Sequence, residues 1–178
     1  PKAYNEPVKS YLPGSPERED IKKTIAEFKS TITDIPMVIG GKRITTDEKV
    51  GVYSPHNLNQ LLGHFYRGTV DHVNMAIDAA MEASKKWSKM PWEHRAAIFL
   101  RMADLLSGPY RAKLNVTTML GQSKTVHQAE IDAACELADF FRFNVQYMTE
   151  IYSQQPESDH TIWNRLEYRP LEGFVYAL

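Results

Sequence analysis

Five consecutive apolar residues, Phe174-Val175-Tyr176-Ala177-Leu178, constrain the fold class more than any other stretch of this chain. A run without polar alternation suits a strand covered on both faces, as in a parallel sheet flanked by helices. Such a strand needs neighbours, and a wholly apolar strand left unpaired is an aggregation hazard. The pattern predicts an α/β protein that stops in mid-fold, its sheet only begun within these 178 residues. Upstream, Ile162–Arg169 reads as a second strand with mixed faces, and Gln154-Gln155-Pro156 breaks whatever helix precedes it.

Most of the chain before that point is helical in pattern. From Val70 the apolar period changes from two to about 3.6, with Val73, Ile77, Ala80 and Met81 on one face. Asp71 is the expected N-cap of this helix, and Val70 with Met75 the expected hydrophobic staple. A second helix starts near Pro91 and stops at Ser107-Gly108-Pro109, where glycine is free to turn left-handed and proline cannot continue. A third runs from about Tyr110 to Gly121. The fourth opens on Thr125-Val126-His127-Gln128, a capping box, and is expected to continue to about Glu150. No period of 20 to 50 residues recurs, which excludes a helical repeat array.

The first third reads differently. Residues 1–14 are polar and interrupted by Pro7, Pro13 and Gly14, as in an extended arm. Ser15-Pro16-Glu17 then has the order of an N-cap, a proline at the first helical position and an acid at the positive helix end, opening a helix to about Ser30. Ile35–Ile39, Gly40-Gly41 and Lys42–Thr45 form a hairpin pattern. Further strands are expected at Val50–Tyr53 and Leu61–Tyr66 around the turn residues Ser54–Asn57. Three segments follow: an arm and helix over 1–34, a β-hairpin region over 35–68, and a helical segment over 69–178 leading into the last strand.

Candidate chemistry is sparse. A net charge of −1 gives no basic footprint for nucleic acid or an anionic membrane, and no run of about 18 apolar residues is present to span a bilayer. The six histidines include no i, i+4 pair, and Cys135 has no cysteine partner, so neither a metal site nor a disulfide framework is expected. Gly121-Gln122-Ser123-Lys124-Thr125 resembles the end of a phosphate loop without its beginning, and reads as a junction between helices. No dinucleotide fingerprint and no nucleophile elbow occurs. Cys135 lies among Ala133, Ala134 and Leu137 beside a carboxylate, a setting that suppresses the thiolate, so it reads as a buried packing residue. Asp132, Glu136 and Asp139 share one helical face. They form either a solvated acidic stripe or a stripe in which one carboxylate faces a cleft, and spacing does not separate the two.

The run Gly121–Ala134, continuing into Asp139-Phe140-Phe141-Arg142-Phe143-Asn144, resembles the delta-1-pyrroline-5-carboxylate dehydrogenases, the proline-catabolic branch of the aldehyde dehydrogenases. Asn5-Glu6-Pro7-Val8, Gly14–Arg18, Ala103–Pro109 and Leu171–Val175 carry the same resemblance in order along the chain. It implies the N-terminal helical and β-hairpin part of an aldehyde dehydrogenase fold, with the first strand of the nucleotide-binding parallel sheet at Phe174–Leu178 and 69–178 leading into a truncated NAD-binding domain. It implies NAD-dependent oxidation of glutamate semialdehyde to glutamate in proline catabolism by a homo-oligomer, at least a dimer, in the mitochondrial matrix as in eukaryotic members. In that family a cysteine thiolate attacks the aldehyde, hydride passes to NAD, and a glutamate activates the hydrolytic water.

Glu136 is the one site residue the resemblance carries over: it matches a helix glutamate at the substrate cavity, near the amino group. No catalytic, cofactor-binding or metal-binding residue is carried over, and Cys135 does not match the nucleophile. Two other readings fit the sequence, a different semialdehyde-oxidising branch and a non-enzymatic helical module binding a partner through Phe140, Phe141 and Phe143. The resemblance implies that a polypeptide of residues 1–178 alone neither oxidises aldehydes nor binds NAD tightly. NAD-dependent turnover by that purified polypeptide would contradict it.

Overall fold

The computed structural model describes residues 2–178. Helix α1, Pro16–Ser30, forms where the sequence predicts it: the Arg18 N–H donates to the Ser15 hydroxyl at 3.4 Å, Pro16 opens the first turn, and Glu17 and Glu19 face its positive end. Five strands follow, β1 (Thr33–Ile35), β2 (Met37–Ile39), β3 (Lys42–Ile44), β4 (Lys49–Ser54) and β5 (Asn57–Tyr66). The β2–β3 hairpin turns through Gly40 and Gly41 at φ 56° and 77°, the pair of positive values a tight hairpin requires. β4 and β5 pair antiparallel, and β1 lies parallel to β5 with Thr33 opposite Gly63. A Cβ on Gly63 would sit 2.4 Å from the Thr33 carbonyl oxygen, so only glycine admits that approach.

The helices are α2 (Val70–Trp87), α3 (Trp92–Ser107), α4 (Arg111–Gln122), α5 (Val126–Ala129) and α6 (Glu136–Ser153), with a π-helical turn over Glu130–Cys135 between the last two. Several expected ends move. Thr69, with an extended backbone, is the N-cap of α2, and its N–H donates to His72 Nδ1 at 3.1 Å; Asp71 sits inside the first turn. Val70 is itself the first helical residue and is exposed, so no staple to Met75 forms. Gly108 ends α3 at φ −106°, without going left-handed, and Ser123 rather than Gly121 closes α4, at φ 58°. The capping box does form, with Thr125 N–H on Gln128 Oε1 at 2.9 Å and Gln128 N–H on Thr125 Oγ1 at 3.3 Å.

Two strand expectations fail. Residues 154–178 contain no helix or strand, and Phe174, Val175, Tyr176 and Leu178 are exposed. A strand exists only by hydrogen bonding to a neighbour. Among the described residues none of the five strands pairs with Ile162–Arg169 or Phe174–Leu178. The Gln155 side chain instead takes both backbone groups of Leu166, accepting at 2.8 Å and donating at 3.2 Å.

The core has two parts. Tyr11, Ile21, Val116 and Leu120 join the arm, α1 and α4, with Leu62 of β5 and Val126 packed on their edge. Small residues let α3 and α6 approach closely: Ala96 and Ala103 meet a helix that presents Ala138 and Val145. Phe99 stacks on Phe141 at 5.8 Å between the same two helices. The arm is extended, as its composition suggests, and it is tied to the helices through its backbone. Ala3 N–H donates to Gln146 Oε1 and Glu6 N–H to Asp139 Oδ1, each at 2.6 Å, and Lys9 N–H reaches Glu130 Oε1 at 2.8 Å.

Below these contacts lies a buried ionic cluster. Glu130 is fully buried and accepts from both Nη2 and Nε of Arg111, the latter at 3.2 Å, from Tyr11 Oη at 2.7 Å and from Asn115 Nδ2 at 2.8 Å. Arg111 also donates to Glu6 Oε1 at 2.5 Å and to the Pro7 carbonyl at 2.8 Å, and Arg142 holds the other Glu6 oxygen at 2.8 Å. Burial opposes the charge on Glu130. The donors from Arg111, Tyr11, the Lys9 backbone and Asn115 outweigh it and hold the carboxyl down at about 2, from an ordinary 4.5.

Arg111→Ala would leave Glu130 charged, buried and short of its main partner. Such a loss costs about 3–5 kcal/mol, to be read by chemical denaturation. Because the folded carboxyl titrates below the unfolded one, the stability Glu130 contributes is complete above about 4.5 and is lost as pH falls toward about 2. That contribution is roughly 3 kcal/mol, and an acid-denaturation curve flat across this window would sink the assignment.

Candidate functional site

An open groove of about 810 Å³ runs between the arm and the last helical run. Asn5, Glu6 and Val8 form one wall; Ile131, Asp132 and Cys135 of the π turn, then Glu136, Phe140, Phe143 and Tyr147 of α6, form the other. Asp139 and Asn144 line it as well, so four carboxylates border a cleft that also presents aromatic and aliphatic surface, a mixed make-up that a small molecule with polar and apolar parts can fill.

The three acidic residues that sequence spacing treats alike are separated here by their partners. Asp132 accepts from Lys124 Nζ at 2.6 Å. Asp139 accepts the Asn5 amide at 2.8 Å and the Glu6 backbone N–H, so it fastens the arm and is no part of a solvated stripe. Glu136 is exposed, lines the groove, and has no hydrogen-bond or ion-pair partner among the described residues. Glu6 also borders the groove, yet Arg111 and Arg142 neutralise it. One uncompensated carboxylate is left against two phenylalanines, an arrangement that favours a ligand carrying a cation and an apolar chain.

The phenylalanines do not act as a set. Phe141 packs on Phe99, whereas Phe140 and Phe143 face the groove and Phe143 tilts against Tyr147 at 6.2 Å. Cys135 is buried, as its neighbours predict. Burial pushes its thiol up to about 11, the nearby Glu130 charge adds to that, and Arg111 offsets only part. The raising carboxylate is Glu130, five residues back, and not the adjacent Glu136 expected from sequence.

Among the described residues no group of three histidine, cysteine or acidic side chains converges to hold a metal, and no helix is long and apolar enough to cross a membrane. Gly121–Thr125 is not a phosphate cradle: Ser123 turns left-handed to close α4, and the N–H groups of Thr125 and Gln128 are spent on each other's side chains. Sequence reasoning missed the ionic cluster altogether. The available hint was Arg111 and Asn115 one turn apart on a helix that also presents Val116 and Leu120 inward.

Residues 43–178 match the model of the aldehyde dehydrogenase family. Delta-1-pyrroline-5-carboxylate dehydrogenase of Agaricus bisporus is 49% identical over 180 residues, spanning 100% of this chain and 33% of that protein. The human mitochondrial delta-1-pyrroline-5-carboxylate dehydrogenase is 45% identical over 177 residues, spanning 99% of this chain and 31% of its own. The crystal structure of Delta-pyrroline-5-carboxylate dehydrogenase from Mycobacterium tuberculosis bound with NAD superposes with a TM-score of 0.94 at 47% identity, over 98% of this chain and 33% of that one. The chain spans about a third of the length of the relatives it matches.

At Cys135, expected labelling by a thiol reagent in the native protein is slow and accelerates only on unfolding. Rapid labelling of the folded protein would remove the assignment of an inert, buried thiol.

Proposed function

Because this chain belongs to the aldehyde dehydrogenase family, we propose that the protein it forms part of oxidises glutamate semialdehyde to glutamate with NAD as hydride acceptor, in proline catabolism. The observation that carries this reading is the agreement, in sequence and in backbone over nearly the whole chain, with a delta-1-pyrroline-5-carboxylate dehydrogenase solved with NAD. The protein works on this reading as a homo-oligomer, at least a dimer, in the mitochondrial matrix; relatives whose names include the word mitochondrial support the organelle. Residues 69–178 then lead into its NAD-binding domain.

Bound NAD supplies the oxidising power. Neither a cofactor contact nor a chemical step is assigned to the described residues. On this reading the nucleophilic cysteine and the water-activating glutamate belong to the rest of the protein, since Cys135 is buried with its thiol pushed up to about 11.

What this chain contributes is selection. Glutamate semialdehyde differs from a plain aldehyde acid by its α-ammonium group. Glu136 offers that group a free carboxylate, and Phe140 and Phe143 offer its methylenes an apolar wall. A succinate semialdehyde enzyme would have no use for such a charge, since its product is a dianion.

In the full-length enzyme, Glu136→Gln keeps shape and removes charge. A charge-assisted contact is worth about 1.5–3 kcal/mol, so kcat/KM for glutamate semialdehyde is expected to fall roughly ten- to a hundredfold. Glutarate semialdehyde, which lacks only the amine, should lose far less. Asp132→Asn should affect both little. Faster oxidation of succinate semialdehyde than of glutamate semialdehyde by the unmutated enzyme would overturn the substrate assignment, and equal losses in the Glu136 variant would make that residue structural.

A further inference from the structure

We propose that Glu130 is a positioning residue for substrate selection: by holding the π turn it sets the helical phase that directs Glu136 into the groove. This rests on the reading of Glu136 as the partner of the substrate ammonium.

The run from Val126 to Ser153 is α-helical except at Glu130–Cys135, where the turn widens. Wide turns of this kind are costly insertions into a helix and concentrate at functional sites. The side chains show what this one accomplishes. Residues five apart on an α-helix point about 140° from each other, so Glu130 and Cys135 could not both face α4 from a regular helix. Here both do: Cys135 Sγ lies 3.8 Å from Glu130 Oε1 and 3.4 Å from Arg111 Nη2. The force that holds Glu130 inward is plain from its five donors, which come from the arm, α4 and the Tyr11 hydroxyl.

The inserted residue changes which side chains follow. Counting on from Glu130 at α-helical spacing, the inward positions would be 134, 137, 141 and 144. Within the turn both Ala134 and Cys135 are buried, and beyond it the buried positions are Ala138, Arg142 and Val145 in place of 137, 141 and 144. The inward stripe has moved by one residue, a rotation of about 100° for all of α6. In the unshifted phase the place on the groove wall held by Glu136 would fall to Cys135. Arg142 would also leave Glu6, and the arm wall would lose its anchor. The buried cluster and the groove carboxylate are thus two faces of one rotational setting.

The test uses the full-length enzyme and the ratio of kcat/KM for glutamate semialdehyde to that for glutarate semialdehyde. A role confined to stability would lower both substrates together and leave the ratio alone. Glu130→Gln, which turns one acceptor oxygen into a donor facing donors, is expected to lower the ratio at least fivefold. Tyr11→Phe removes one of the five donors and is expected to lower it less, in the same direction; it decides the matter if Glu130→Gln does not fold. In a Glu136→Gln background neither change should move the ratio further, because the group being positioned is gone. Equal losses for both aldehydes, or an undiminished effect in that background, would overturn the positioning role. If Glu136→Gln alone leaves the ratio unchanged, the reading of Glu136 fails and the proposal falls with it. If Glu136→Gln lowers the ratio while the Glu130 and Tyr11 variants do not, the positioning role alone is overturned.

Discussion

Arg111 leaves the first turn of α4 with its guanidinium inside the protein, and two stretches of chain far from it in sequence meet on it. Glu6 and the Pro7 carbonyl come from the arm, and Glu130 comes from the π turn. Taking these charges out of water is expensive, and their mutual attraction offsets that only where every remaining hydrogen-bonding position is filled. The cluster comes close to that condition. Both Glu130 oxygens are fully engaged, and Arg142 covers the second oxygen of Glu6. Among its members, Asn115 Oδ1 is left without a partner. Tyr11 sits in the left-handed region at φ 54°, a setting that costs roughly 1–3 kcal/mol and is held by its contacts to Glu130 and Asn115 and by the Arg18 guanidinium on its carbonyl.

From this arrangement the groove follows. An arm docked by its backbone N–H groups on Gln146, Asp139 and Glu130 becomes a wall, and α6, rotated by the π turn, becomes the opposite wall. Charge is distributed with the same economy. Glu6, Asp132 and Asp139 each have a partner within the chain, which leaves Glu136 as the groove carboxylate without one among the described residues. An exposed carboxylate beside aromatic carbon offers a ligand with an ammonium group and an apolar chain both contacts at once. On the proposed reading of Glu136, recognition of an amino-bearing aldehyde depends on which acids are left unpaired rather than on how many are present.

Much of the architecture was legible because it is decided locally. Ser15-Pro16, Gly40-Gly41 and the Thr125–Gln128 box each fix the backbone within a few residues, and each forms as read. The misreadings share a different character. Phe174–Leu178 has strand composition, but a strand is a relation between two segments, and its neighbours are not among the described residues. Thr69 displaced Asp71 as a cap because the choice between two acceptable residues depends on where the preceding chain enters, from the end of β5.

The sequence by itself determined the family, the helical periods, the turn chemistry and the identity of Glu136 as a residue of interest. Periodicity could not separate Glu136 from Asp132 and Asp139, because all three share one face at α-helical spacing. Tertiary structure made that separation. It brought Lys124 to Asp132 and the arm to Asp139, left Glu136 without a hydrogen-bond or ion-pair partner among the described residues, and widened the helix at Glu130 so that the faces changed. The physical reason is that a helix's own hydrogen bonds are indifferent to its rotation about its axis. Only contacts to other parts of the chain, here a buried arginine more than a dozen residues away in sequence, fix which side chains look inward and which look into the groove.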